Sequence, residues 1–304
     1  MSPAPIVDVM RLPAALCAVL ALVGCDGDAA DRGAAAPEPV MSGPAQATPP
    51  AADAAIPREP GALAERLTST QRALDSAIDR WRTEGDTAVG APPEEVTLYA
   101  LDQQRIHLLL SRRAGLAQAV LGDAPGAVAA HARATIRARR KLAPLAGPPR
   151  RVRLRTGPAE PAGVLLRHYR RAQRRFEVPW PLLAAVNFVE SAFGRLRSNS
   201  FAGAQGPMQF IPSTWAAYGM GGDVRDPRDA IMGAANYLRA SGAPGDLRGA
   251  LYAYNPSSLY VDAVLAYTDR IRRDTRSYFA YYSWQVFVRD GDGARRITGP
   301  GLEP

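Results

Sequence analysis

Residues 178–215 read VPWPLLAAVNFVESAFGRLRSNSFAGAQGPMQFIPSTW. Pro179 and Pro181 suit a first helical turn, where a missing N–H costs no hydrogen bond. Leu182, Leu183, Val186 and Val189 follow at helical spacing, which predicts one buried face. Near the C-terminal end of this helix stands one carboxylate, Glu190, flanked by Phe188, Val189, Ala192 and Phe193. An apolar setting disfavours the charged carboxylate and raises its pKa towards neutrality, where the group can serve as a general acid. Taken alone, the segment equally allows Glu190 to close an amphipathic helix and point into solvent.

Beyond the helix, Gly203 and Gly206 lead into a turn-rich loop, Pro207 to Trp215, that enters a new helix with Ser213 or Thr214 as the expected N-cap. The glycines let the backbone pass close to another surface, and Gln209 offers both donors and acceptors to an amide or a sugar hydroxyl. Further on, Ala253-Tyr254-Asn255-Pro256 ends an apolar helical run with a phenol and a second amide. In this order, Glu-Ser-x-Phe, Gly-Ala-x-Gly-Pro-Met-Gln-Phe-x-Pro-x-Thr-Trp and Tyr-Asn resemble the catalytic domain of the soluble lytic transglycosylase family. Each motif is weak alone; the ordered set is specific, and it covers roughly a third of the chain.

The resemblance implies a lysozyme-like domain, expected over residues 158–275, that cleaves the glycan strands of peptidoglycan and needs no cofactor or metal. It implies that Glu190 protonates the oxygen between N-acetylmuramic acid and N-acetylglucosamine. The same group then acts as base on the muramyl 6-hydroxyl, which closes a 1,6-anhydro ring. Tyr254 is implied to lie near the acid, Met208, Gln209 and Asn255 to line the groove, Ser191 to follow the acid, and Ser200 to contact substrate. Pro207 stands where many relatives have leucine, and Pro256-Ser257 where Ala-Gly is usual. Two other readings stay open. A muramidase would need Asp223, Asp226 or Asp229 to hold a water, although Asp226 and Asp229 are expected to cap a helix. A non-catalytic cell-wall-binding lipoprotein would have no need to keep the acid.

The remaining chain supplies context. Its 304 residues suggest about two domains, with 47% hydrophobic residues to fill their cores. Met10-Arg11 precedes an apolar run, Leu12 to Val23, too short for a permanent span and fit for a signal peptide. Leu22-Val23-Gly24-Cys25 resembles a bacterial lipoprotein box. Residues 1–25 are therefore expected to be a lipoprotein signal with lipidation at Cys25, the alternative being a simple secretory signal. The protein is then exported and held at the membrane, facing the cell wall. Residues 26–60, rich in Ala, Pro and Gly, read as a disordered tether.

Residues 61–157 read as helical, with helices over Leu63–Trp81, Val96–Leu110 and about 125–142, and with His107 and His131 as surface or packing residues. The formal charge of +8 includes arginine clusters in 133–155 and 167–175. These read as solvated faces or as a footprint for anionic cell-wall polymers or lipid headgroups. No aromatic-basic interleaving accompanies them, so nucleic acid is not expected. Residues 276–304 form a C-terminal extension with a small hairpin, strands being expected at 284–288 and 297–298. The fold class expected is mainly α: a helical N-terminal region, a lysozyme-like domain and a small C-terminal β-hairpin.

Overall fold

The computed structural model describes residues 48–146, 154–290 and 293–302. The expected signal segment, Cys25 and residues 26–47 of the expected tether lie outside the described residues. Within them, no helix is long and apolar enough to cross a membrane.

The protein is mainly helical. Four helices come first: α1 (Pro60–Thr83), α2 (Glu94–Arg112), α3 (Ala114–Asp123) and α4 (Gly126–Leu142), the last followed by a 3₁₀ turn at Ala143–Ala146. Seven more follow: α5 (Ala162–Phe176), α6 (Trp180–Ser191), α7 (Pro212–Tyr218), α8 (Pro227–Ala240), α9 (Leu247–Tyr254), α10 (Ser258–Arg273) and α11 (Arg276–Ser283). Strands β1 (Phe287–Asp290) and β2 (Gly293–Arg296) close an antiparallel hairpin in which Phe287 faces Arg296.

Periodicity places most of these elements. Leu182, Leu183 and Val186 are fully buried on α6, as their spacing requires. Two helices have no such signature. Every residue of α11 from Ser277 to Ser283 is buried, so that helix is enclosed nearly all round and shows no alternation of apolar and polar faces. The short α3 is set off from α2 only by the extended ψ of Arg113.

Other departures are local. Helix α7 is capped by Ile211 with no side-chain bond, because Pro212 starts the first turn before Ser213 or Thr214 can cap it. The hairpin ladder lies at 287–296, displaced from the expected strands. Trp284 and Val286 are instead drawn into the core, where the backbone of Val286 still accepts from Ile297 at 2.9 Å. The end of the expected tether, residues 48–59, has no helix yet packs on the body: Arg105 donates to the carbonyl of Ala54 at 2.7 Å, and Ile56 joins an apolar cluster.

One apolar core runs through nearly all of the helices. It takes in Leu74 and Trp81 of α1, Leu182 and Val186 of α6, Tyr267 of α10 and Trp284. Helix α10 packs along both α4 and α6. The segment around α11 ties the early helices to the later ones. Tyr278 and Tyr282 donate to the carbonyls of Ala162 and Glu160, and the Trp284 indole donates to Gln103 at 3.0 Å. Arg276 forks onto Asp79 of α1 at 2.6–2.9 Å. Not every basic residue of α4 is solvated: Arg139 is buried, its guanidinium 5.3 Å above the Trp284 ring. His107 and His131 are buried packing residues with ring centroids 6.1 Å apart.

Candidate active site

Glu190 lies one residue before the end of α6, partly exposed to solvent. The chain then takes an unusual course. Ala192, Phe193 and Gly194 have φ of 51°, 63° and 84°, three successive left-handed residues. For the two that are not glycine this costs on the order of 1–2 kcal/mol each. Burial offsets the cost: the Phe193 ring stacks 5.6 Å from Phe188 and meets Tyr278 edge-on at 5.7 Å. The reversal is also stitched by hydrogen bonds from Phe193 N–H to the Asn187 carbonyl and from Gly194 N–H to Ser191 Oγ.

The loop that follows is a tight hairpin. Gln205 and Phe210 exchange two backbone hydrogen bonds of 2.9 Å, enclosing Gly206 to Gln209. Gly206 has φ of 72°, and a Cβ there would run into the Val224 carbonyl, so glycine is required on both counts. Gln209 is also left-handed at φ of 50°, its Nε2 donating to the Gly206 carbonyl at 2.9 Å.

This loop is fastened to the acid's helix and to α9. Ser191 Oγ donates to the Pro207 carbonyl at 2.5 Å, and Asn187 Nδ2 meets Met208 Sδ at 3.0 Å. Tyr254 Oη donates to the Met208 carbonyl at 2.6 Å. Ser191 and Met208 are wholly buried, so their side chains position the loop and do not reach a surface. Asn255 is also buried, and its Oδ1 has no hydrogen-bond partner among the described residues. Ser200 closes a separate turn, with Oγ accepting from Ala204 N–H at 2.9 Å. Partly exposed side chains remain at Glu190, Ser200, Gln209 and Tyr254.

Three residues not singled out by sequence join the site. Tyr260, fully buried in the first turn of α10, donates its hydroxyl to Glu190 Oε1 at 2.6 Å. Its only local signal is its place after the Ser257 cap, whose Oγ accepts from Tyr260 N–H. Tyr237 and Tyr218 extend an aromatic row from Tyr254, with centroid spacings of 5.7 and 4.8 Å. They come from α8 and α7, and nothing local marks them.

Burial pushes the Glu190 carboxyl up to about 7, and the Tyr260 hydrogen bond partly opposes that rise. With Oε1 accepting from Tyr260, the acidic proton is carried on Oε2. Tyr254 is held well above the usual phenol range by burial, and next by the charge of Glu190, so it stays a neutral donor. The aspartates weighed as a second acid have other roles. Asp226 caps α8 by accepting from Asp229 N–H, Asp223 accepts from Arg225 N–H, and Asp229 pairs with Arg228. Among the described residues no other carboxylate perturbs Glu190. The arrangement is one proton-exchanging group poised near neutrality beside a row of phenol rings.

Comparison with known proteins points the same way. Residues 168–274 match the transglycosylase SLT domain family. The chain is 27% identical over 139 residues to membrane-bound lytic murein transglycosylase F of Pseudomonas fluorescens, an alignment covering 45% of this chain and 24% of that protein. The chain thus matches about a quarter of that relative's length. No solved structure matches the chain.

Two outcomes follow from the electrostatics. A carboxyl that titrates near 7 when folded and near 4.5 when unfolded contributes stability that is complete below 4.5 and lost as pH rises through 7. Glu190→Gln, which keeps the shape and removes the charge, is therefore expected to stabilise the protein at pH 8 by on the order of 1–3 kcal/mol, and by nothing below pH 4.5. Urea melts at the two pH values measure this; equal stabilisation at both would show that burial does not control the group. Tyr260→Phe removes the bond that favours the carboxylate. It should move the Glu190 titration above that of the wild type, read by carboxyl-carbon NMR, and a downward move would contradict the assignment.

Proposed function

We propose that the protein is a peptidoglycan lytic transglycosylase that cleaves the bond between N-acetylmuramic acid and N-acetylglucosamine, with Glu190 as both acid and base. The observation that carries this reading is a single carboxyl, raised to about 7 and bonded by Tyr260, with no second carboxylate acting on it among the described residues. An inverting hydrolase needs a second carboxylate to activate water; substrate assistance removes that need. The SLT family match and the name of the relative support the same activity.

In this mechanism the Oε2 proton passes to the glycosidic oxygen as the bond to the anomeric carbon breaks, releasing an N-acetylglucosamine hydroxyl. The substrate's acetamido group stabilises the electron-poor anomeric carbon. Glu190, now a carboxylate, takes the proton of the muramyl 6-hydroxyl, whose oxygen bonds to that carbon and closes the 1,6-anhydro ring. No water is consumed, and Glu190 ends protonated as it began. A group titrating near neutrality can serve in both steps, because neither protonation state is far from reach. Gln209, Ser200 and the aromatic row would hold the sugars, while Ser191, Met208 and Asn255 act from beneath.

Glu190→Gln should lower cleavage of purified sacculi by roughly 10²–10⁴-fold, the usual contribution of a positioned proton donor. Mass analysis of products from the wild type should show anhydro ends. Reducing ends would select a muramidase, and full activity in the variant would remove Glu190 from the chemistry. Export and lipidation at Cys25 belong to the same reading, resting on the apolar run and the Leu22-Val23-Gly24-Cys25 box. Labelled palmitate should be incorporated in bacterial cells and lost in Cys25→Ala; incorporation that survives the substitution would refute the anchor.

A further inference from the structure

Helix α5 contains no acidic residue, and its exposed side carries Arg167, Arg170, Arg171, Arg174 and Arg175. Where its C-terminal half meets the loop between α7 and α8 there is a cavity of about 260 Å³. Arg171 and Arg175 line it from α5, Arg228 and Asp229 from the first turn of α8, and Met220 and Met232 beside them. Three guanidinium groups thus share one carboxylate. Asp229 is already engaged, accepting from Arg228 at 3.1 Å and from Asp223 N–H at 3.2 Å. Among the described residues, Arg171 and Arg175 have no carboxylate partner; Arg175 lies over the Phe176 ring at 5.2 Å. Spaced one helical turn apart, the two arginines project from one face and can offer paired donors to a single anion.

We propose that this pocket binds a carboxylate carried on a short aliphatic body and that, on the catalytic reading above, its ligand is the peptide stem attached to the glycan strand. The composition favours a peptide over a phosphate polymer. Guanidinium groups serve either anion, but two methionine side chains are suited to an aliphatic chain and give a bare phosphate nothing. The pocket adjoins the candidate site along the chain: Gly219 and Met220 directly follow α7, the helix that the Gln209 loop enters. The pocket would make the enzyme prefer strands that still bear their peptides.

The test is calorimetric titration of the intact chain with the soluble tetrapeptide stem released from sacculi by an amidase. Arg171→Gln with Arg175→Gln is expected to weaken binding about tenfold or more, as loss of charge-assisted hydrogen bonds does. Arg167→Gln with Arg170→Gln removes the same charge from the same helix outside the pocket and should change binding less than twofold. Equal weakening by both pairs would mean diffuse attraction and overturn the pocket. So would inorganic phosphate or phosphatidylglycerol vesicles binding through Arg171 and Arg175 while the peptide does not. The readout needs no glycan cleavage. A wild type that binds the stem without cutting strands would sink the catalytic reading alone, and one that cuts without binding the stem would sink this one alone.

Discussion

Two peptide carbonyls, those of Pro207 and Met208, hold the candidate site together. The first accepts from Ser191, the residue after the acid, and the second from Tyr254 at the end of α9. Met208 Sδ also takes the Asn187 amide from the middle of α6. Three segments far apart in sequence are therefore locked through one tight hairpin. The hairpin is narrow enough to do this because Gly206 and Gln209 both adopt left-handed backbone, and Gly206 lies flush against the Val224 carbonyl. A loop that moved would free the acid's helix end and Tyr254 together.

The acid's proton affinity is the balance of two opposed effects. Burial favours the neutral form; the Tyr260 hydroxyl, bonded to Oε1, favours the charged one. Tyr260 can act only because α10 is fixed, and α10 lies between α6 on one side and α4 on the other. The N-terminal helices, in which no chemistry was found, thus brace the helix that tunes the acid. Arg276 on Asp79, and Trp284 between Gln103 and the Arg139 guanidinium, extend that brace through α11.

Left-handed strain is concentrated just beyond the acid, at Ala192, Phe193 and Gly194. Such strain persists only where the surroundings over-determine it. Here the Phe193 ring is held by three aromatic neighbours, Phe188, Tyr278 and Tyr282, and the Ser191 hydroxyl receives the Gly194 N–H. The third of those φ values falls on glycine, as chirality favours.

Helical periodicity and punctuation by proline and glycine were enough to place α6, the 203–215 loop and the Tyr254-Asn255 helix end, because both are encoded by neighbours in sequence. The same rules placed α1, α2, α4, α5 and α10 to within a few residues. They missed the short α3 and also α11, which is buried nearly all round and so carries no stripe, and they left Glu190 free to face solvent or the core. Sequence order could place Ser191 and Met208 at the site but not turn their side chains inward. It gave no reason to pair Tyr260 with an acid 70 residues away. Those features belong to the tertiary structure, because desolvation and partner choice depend on which helices close around a group. A local pattern determines which face of a helix must be buried; only the assembled core determines what that face meets.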